Sequence, residues 1–163
     1  MAVISKQGEE QTQERLRVVV EALRQGLGDN LVAIVLFGSR ARGEATEVND
    51  WDLFVLANDL LPSPLQRHVQ LTTLLPVKWR GQAAILARTP TEFESHLSSL
   101  MLDLALDGAV LYDPEGYVTQ RLTALKRLIT NRGLYREQVG RDFIWQWKQS
   151  PGSNWSLEWK EVL

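Results

Sequence analysis

Two acids one residue apart, Asp50 and Asp52, follow a glycine–serine pair, Gly38-Ser39, after a gap of ten residues, and two arginines, Arg40 and Arg42, lie inside the gap. Side chains at i and i+2 of a strand point the same way, about 6.6 Å apart along the backbone. Asp50 and Asp52 can therefore converge on one hard cation, or on two cations about 3.5–4 Å apart. Magnesium suits such a pair, because it takes a few carboxylates and completes its shell with phosphate oxygens and water. Gly38 has no Cβ, so a ligand can approach the backbone closely. The N–H groups of Gly38 and Ser39, with the Ser39 hydroxyl, are donors for phosphate oxygens. Arg40 and Arg42 offer positive charge to a polyphosphate leaving group. The chemistry this set supports is metal-assisted nucleotidyl transfer.

Positioning these groups requires two strands with a tight turn between them. Leu31 to Phe37 is a short, β-branched apolar run that reads as a buried strand, and Trp51 to Ala57 reads as the next. The turn spans Gly38 to Gly43, with a helical turn beginning after Ser39. Residues 9 to 27 place Leu16, Val19, Val20, Leu23 and Leu27 at helical spacing. Ser63-Pro64 opens a second helix that runs to about Leu75. Ala83 to Ala87 is a third strand. Thr89 and Glu92 form a capping box for a helix reaching about Asp107. Val110 to Tyr112 is a brief strand, and Tyr117 to Asn131 a helix closed by Gly133. In the tail, Phe143, Trp145 and Trp147 alternate with polar residues, as do Trp155, Leu157 and Trp159, and residues 150–154 sit between them. This pattern predicts a Trp-rich hairpin turning at 150–154.

Composition narrows the alternatives. The 163 residues suffice for one domain with a real core, expected to fill 1–163 with its centre at about 9–112 and a C-terminal helix and hairpin at about 115–163. A net charge of −2 provides no bulk field toward nucleic acid or an anionic membrane. The absence of cysteine excludes disulfides, thiol nucleophiles and Cys-ligated zinc. No apolar run approaches a membrane span and the N-terminus lacks the pattern of a secretion signal, so a cytoplasmic protein is expected. His68 and His96 have no paired ligand spacing, and Ser39 has no hydrolase-triad partners. Tyr112, Tyr117 and Tyr135 are hydroxyls open to self-modification, with nothing to single one out.

Gly38-Ser39-x10-Asp50-x-Asp52 resembles the motif of the minimal nucleotidyltransferases of the DNA polymerase β superfamily, and the order of elements extends the likeness to about residue 105. The resemblance implies an α/β fold: a polymerase β-like palm, its mixed sheet flanked by helices. It also implies catalytic and metal-ligating roles for Asp50 and Asp52, nucleotide binding at Gly38 and Ser39, Mg2+ as cofactor and ATP as substrate. Arg40 and Arg42 join the nucleotide site on charge alone. The chain departs from the family at one point. A third carboxylate, the general base for the acceptor hydroxyl, often stands on the next strand. Here that strand reads Gly81 to Ala87 without an acid, and Ala84 or Gln82 falls about where it is expected. A stand-alone chain of this size resembles the MNT antitoxins of HEPN/MNT pairs, which move AMP from ATP onto a tyrosine of the HEPN toxin. That implies a HEPN-type partner and a hetero-oligomer. Two other readings are a small-molecule adenylyltransferase of the aminoglycoside type, for which Glu44, Glu47 and Asp59 would be the nearby acids, and a nucleotide-binding module without transfer. The hairpin aromatics serve a partner surface, the core, or both, one face being buried and the other offered.

Overall fold

Three apolar runs become three adjacent strands of one sheet in the computed structural model of the chain, which describes residues 6–46, 48 and 50–163. Strand β1 (Leu31–Phe37) pairs antiparallel with β2 (Trp51–Ala57), and the register sets Phe37 opposite Asp52. Strand β3 (Ala83–Arg88) runs parallel to β2, with Ala84 beside Asp52. Strand β4 (Ala109–Tyr112) flanks β1 antiparallel, and the order across the sheet is β3-β2-β1-β4. The sheet is mixed, as the resemblance implied.

Helices cover both faces. On one face lie α1 (Lys6–Leu27) and α3 (Pro64–Leu74), whose Leu16, Val19, Leu23 and Leu71 pack on Ile34, Leu36, Trp51, Leu53 and Val55. On the other lie α4 (Pro90–Ser95), α5 (Ser99–Asp107) and α6 (Tyr117–Asn131), whose Phe93, Leu104, Val118 and Leu125 pack on Ala33, Val35, Phe54 and Leu56. Alternate side chains of β2 thus enter opposite cores, and Leu53, Phe54, Val55 and Leu56 are all fully buried. Full burial of each such side chain is worth about 1.5–3 kcal/mol, which ties both helical layers to this strand.

Two expectations need correction. The helix opened by Thr89 does not run through to Asp107: it stops at Ser95, His96 is extended (φ −150°), and α5 restarts after Ser98. The capping box itself is present. The break redirects the chain. Phe93 packs toward Phe54, whereas α5 turns along α6, and one straight helix cannot do both. The C-terminal hairpin is also present, but its arms are β5 (Leu134–Val139) and β6 (Asp142–Trp147), turning at Gly140-Arg141. The segment 155–159 is not its second arm; it leads into a 3-10 turn at Trp159–Glu161 that buries Trp159. The Trp159 Nε1 donates to the Phe93 carbonyl at 2.8 Å, and the two rings lie 5.0 Å apart, which anchors the tail onto α4. Register places Leu134, Arg136, Phe143, Trp145 and Trp147 on one face of the hairpin, and Trp145 and Trp147 pack against the second core. That face completes the fold. Of the tail tryptophans, Trp155 is the exposed one, in an edge contact with Trp147.

Candidate active site

Strand β1 ends by delivering Gly38 into α2 (Gly38–Arg42), a five-residue helix that stops at Gly43, whose φ of 71° favours glycine. Gly38 also has positive φ (72°), and a Cβ added to it would collide with Asp52 Oδ2. The position is glycine for two independent reasons, conformation and contact. The turn and the acid therefore touch, although Gly38 and Asp52 are fourteen positions apart in sequence. Asp52 is brought there by the β1–β2 register.

Trp51 points away from this contact into the first core, where its ring meets Trp79 edge-on at 5.6 Å. Alternation then turns Asp50 and Asp52 to the other side of the strand. Asp52 is half-buried and Asp50 exposed. Burial raises the Asp52 carboxyl above the ordinary aspartate value, the neighbouring Asp50 charge raises it further, and Arg42 opposes both. Two acids that penalise each other at a partly desolvated point have the electrostatics of a divalent-cation site. The donor set fits magnesium: hard carboxylate oxygens, with the backbone of a bare glycine alongside. Among the described residues no group of three acids, histidines or cysteines could hold a metal, so any ligation here rests on the aspartate pair.

The two arginines part company. The Arg40 guanidinium lies over the Trp51 ring, 4.3 Å from its centroid, on the side of β2 opposite Asp52. Arg15 lies between Trp51 and Trp79 at 5.4 and 5.2 Å, so stacked cations and indoles anchor the back of the turn. Arg42 stays on the acidic side. Its Nε donates to Glu44 at 2.9 Å, its Nη1 reaches Asp107 at 3.4 Å, and its guanidinium faces the Phe143 ring at 4.8 Å. Ser39 holds the turn through its carbonyl, which accepts from the Glu44 N–H at 3.0 Å. The structure thus brings Gly38, Ser39, Asp50, Asp52 and Arg42 to one end of the sheet and directs Arg40 to the far side of the strand.

The third acid is absent at the register position as well as in the sequence. Ala84 lies beside Asp52, and Gln82 is engaged by Arg15, whose Nη2 donates to its Oε1 at 3.0 Å. Glu92 is no substitute, since it follows the other end of β3. There it caps α4 and accepts a bidentate pair from buried Arg67 at 2.7 and 2.8 Å, which holds its carboxyl down at about 2. Tyr117 donates to Glu94 at 2.7 Å, and burial pushes its hydroxyl up to about 12. That makes it a poor self-acceptor. Glu47 lies outside the described residues. The surroundings of Arg42 (Asp107 of α5, Phe143 of β6) escape any local reading, because nothing near either residue distinguishes it from ordinary helix and hairpin sequence.

Part of the chain is similar to known proteins. Residues 20–82 match the family described as Polymerase beta, Nucleotidyltransferase, a span that contains the turn, both aspartates and the start of β3. The "Putative protein adenylyltransferase" of Methanocaldococcus jannaschii is 41% identical over 56 residues. That match covers 34% of this chain and 38% of the relative, so this chain spans well under half the length of that protein. Among solved structures, a chain of a toxin–antitoxin crystal structure with AMP-PNP is similar at a TM-score of 0.49 and 19% identity, over 70% of this chain and 90% of the other. A chain from the complex of a tri-AMPylated Shewanella oneidensis HEPN toxin with its MNT antitoxin is similar at 0.46 and 21%, over 75% and 91%. Among the described residues, no helix is long and apolar enough to cross a membrane.

Proposed function

We propose that this chain, whose residues 20–82 match the polymerase β nucleotidyltransferase family, transfers AMP from Mg-ATP to a tyrosine hydroxyl of a partner protein, a HEPN-type toxin that it thereby silences. The observation that carries the reading is the contact between the Gly38 turn and Asp52, with Asp50 alongside. The M. jannaschii relative, which bears the name "Putative protein adenylyltransferase", favours a protein acceptor. The sequence resemblance to HEPN/MNT pairs supplies the class of partner. An acceptor tyrosine near a ribonuclease centre would gain bulk and negative charge, which repel RNA phosphates.

In this reading the Gly38 and Ser39 N–H groups and the Ser39 hydroxyl bind phosphate oxygens. Asp50 and Asp52 would hold the magnesium, which when bound neutralises phosphate charge and favours ionisation of the incoming hydroxyl. The tyrosine oxygen bonds to the α-phosphorus. The bond from that phosphorus to the bridging oxygen breaks, pyrophosphate leaves with the electron pair, and the phenolic proton passes to water, since β3 offers no carboxylate to receive it. Arg42 offsets the charge growing on the leaving group. Arg40, stacked on Trp51, holds the turn and adds positive potential behind it.

The aminoglycoside-type reading needs free acids to line a polycation pocket. Glu44 is paired with Arg42, and Asp59 lies beyond the opposite end of β2, which disfavours it. The deciding experiment incubates the protein with labelled ATP and magnesium, alone, with the product of the adjacent gene, and with aminoglycosides. We expect AMP on a tyrosine of the neighbouring protein. Modified drug would establish the small-molecule enzyme instead, and nucleotide binding with no labelled acceptor would establish a binding module.

A further inference from the structure

The C-terminal hairpin reaches the nucleotide end of the sheet through a closed network. Arg136 of β5 pairs with Asp107 of α5 in bidentate fashion, Nη1 to Oδ2 at 2.6 Å and Nη2 to Oδ1 at 3.0 Å. Its Nη1 also donates to Asp103 at 3.0 Å, and Asp103 accepts from Trp145 Nε1 at 2.9 Å. Phe143 of β6 is bracketed by two guanidiniums, Arg136 at 4.2 Å from the ring centroid and Arg42 at 4.8 Å. The Asp107 and Arg136 side chains are only 11% and 9% exposed, so this is a packed junction rather than a surface ion pair. Asp107 is shared unequally, tightly by Arg136 and at 3.4 Å by Arg42. The arginine at the end of the glycine–serine turn is therefore steered by an aromatic face, by Glu44, which accepts from its Nε at 2.9 Å, and by a carboxylate whose charge is already largely met. Such a guanidinium keeps its direction, and an incoming polyphosphate, with its greater charge, competes for it with the exposed Glu44.

We infer that Phe143, held by the Asp107–Arg136 pair, is a positioning residue for Arg42, and that the C-terminal hairpin thereby forms part of the nucleotide site. This rests on the nucleotidyltransferase reading above. Neither Phe143 nor Asp107 lies in the segment that carries the motif, and the aromatic alternation that includes Phe143 does not point to Arg42.

The experiment is a double-mutant cycle on the full chain, read as the Kd for Mg-ATP by titration calorimetry and as kcat/KM for AMP transfer. Phe143→Leu keeps an apolar side chain of similar size and removes the ring face. Loss of a partly desolvated cation–π contact predicts a Kd for Mg-ATP weaker by about 3- to 30-fold. Phe143→Tyr, which retains the face, should restore the parent value. In an Arg42→Ala background, Phe143→Leu should change nothing further, because its route to the nucleotide is gone. A merely structural role would instead lower Tm in both backgrounds and give additive losses. Unchanged Kd in Phe143→Leu, or additivity with Arg42→Ala, overturns the inference while leaving the enzymatic reading intact. A parent that binds nucleotide without transferring AMP overturns that reading but still allows the cycle to be read through Kd. A parent that does neither removes both. Should Phe143→Leu fail to fold, Arg136→Lys, which keeps the charge and loses the bidentate fork, is measured in its place with the same expected non-additivity.

Discussion

At the scale of single residues, the site is built at the expense of stability. Asp52 is half-buried beside a like charge and against the backbone of Gly38. Its carboxyl is raised above the ordinary aspartate value, so at neutral pH the fold disfavours its charged form. Asp52→Asn removes that penalty and keeps the shape. The expected outcome is loss of AMP transfer with a Tm at or above that of the parent, measured by labelling and thermal melts on the same preparation. A variant that stays active removes Asp52 from the mechanism. Gly38→Ala should behave oppositely: the new methyl group meets the Asp52 carboxylate and the backbone is strained at positive φ, so both activity and Tm fall. Arg40 and Arg42 show why residue types alone mislead. Two positions apart in the motif, they diverge to opposite sides of β2 because α2 is a helix, and residues two apart on a helix do not share a face.

At the scale of elements, two side chains bind the α4 segment to the rest of the molecule. The first is Arg67 of α3, only 5% exposed, which donates to Glu92 and to the carbonyls of Leu61 and Ala87. Its removal and its partner's removal are not equivalent. Glu92→Ala leaves a buried guanidinium without its counter-charge and removes half the capping box, for an expected cost of about 3 kcal/mol. Arg67→Met leaves behind a carboxylate that is 41% exposed and should cost less. Urea titrations of the two variants test the order. The second is Trp159, whose ring meets that of Phe93 at a tilt and whose Nε1 donates to the Phe93 carbonyl. Trp159→Ala is expected to cost about 3–5 kcal/mol. By contrast Trp155→Ala, at an exposed position, should change stability little, and an equal loss in both would contradict the division between core and surface tryptophans. The break between α4 and α5 belongs to this scale too. Local propensity would carry a helix through residues 96–98, and packing on two different partners interrupts it.

At the scale of the whole molecule, acid should loosen the contact between the first helical layer and the start of the second. The Arg67 side chain beside it holds Glu92 at about 2, below its ordinary 4.5, and Tyr117 chiefly holds Glu94 down. A depressed carboxylate contributes stability that is complete above its unfolded value and lost as pH falls toward the folded one. Stability should therefore decline between about pH 4.5 and 2, and in Arg67→Met the decline over that window should be shallower. Urea midpoints at several pH values across it give the comparison. Asp52 acts in the opposite sense, since protonation relieves it, so its contribution cannot be the source of an acid transition.

Much of the architecture could be read directly from the chain. The strands at 31–37 and 51–57 and the helix at 117–131 fall at the expected boundaries, because the strands are short apolar runs and the helix a long periodic segment, each bounded by glycine or by a turn. The motif itself was visible, since a short turn between adjacent strands makes its contacts nearly local. The empty position of the third acid was equally visible, and the β2–β3 register resolves it to Ala84. Three features lay beyond any local reading. The hairpin pairs 134–139 with 142–147 because the two-residue turn at Gly140 is compatible with strand twist, whereas the aromatic alternation that suggested a turn at 150–154 reports burial, which a strand and a core-facing tail share. The helix break at 96–98 depends on which neighbours α4 and α5 find. The grip of Asp107 and Phe143 on Arg42 joins residues 65 and 101 positions apart, and only the closing of the second helical layer over the sheet creates it.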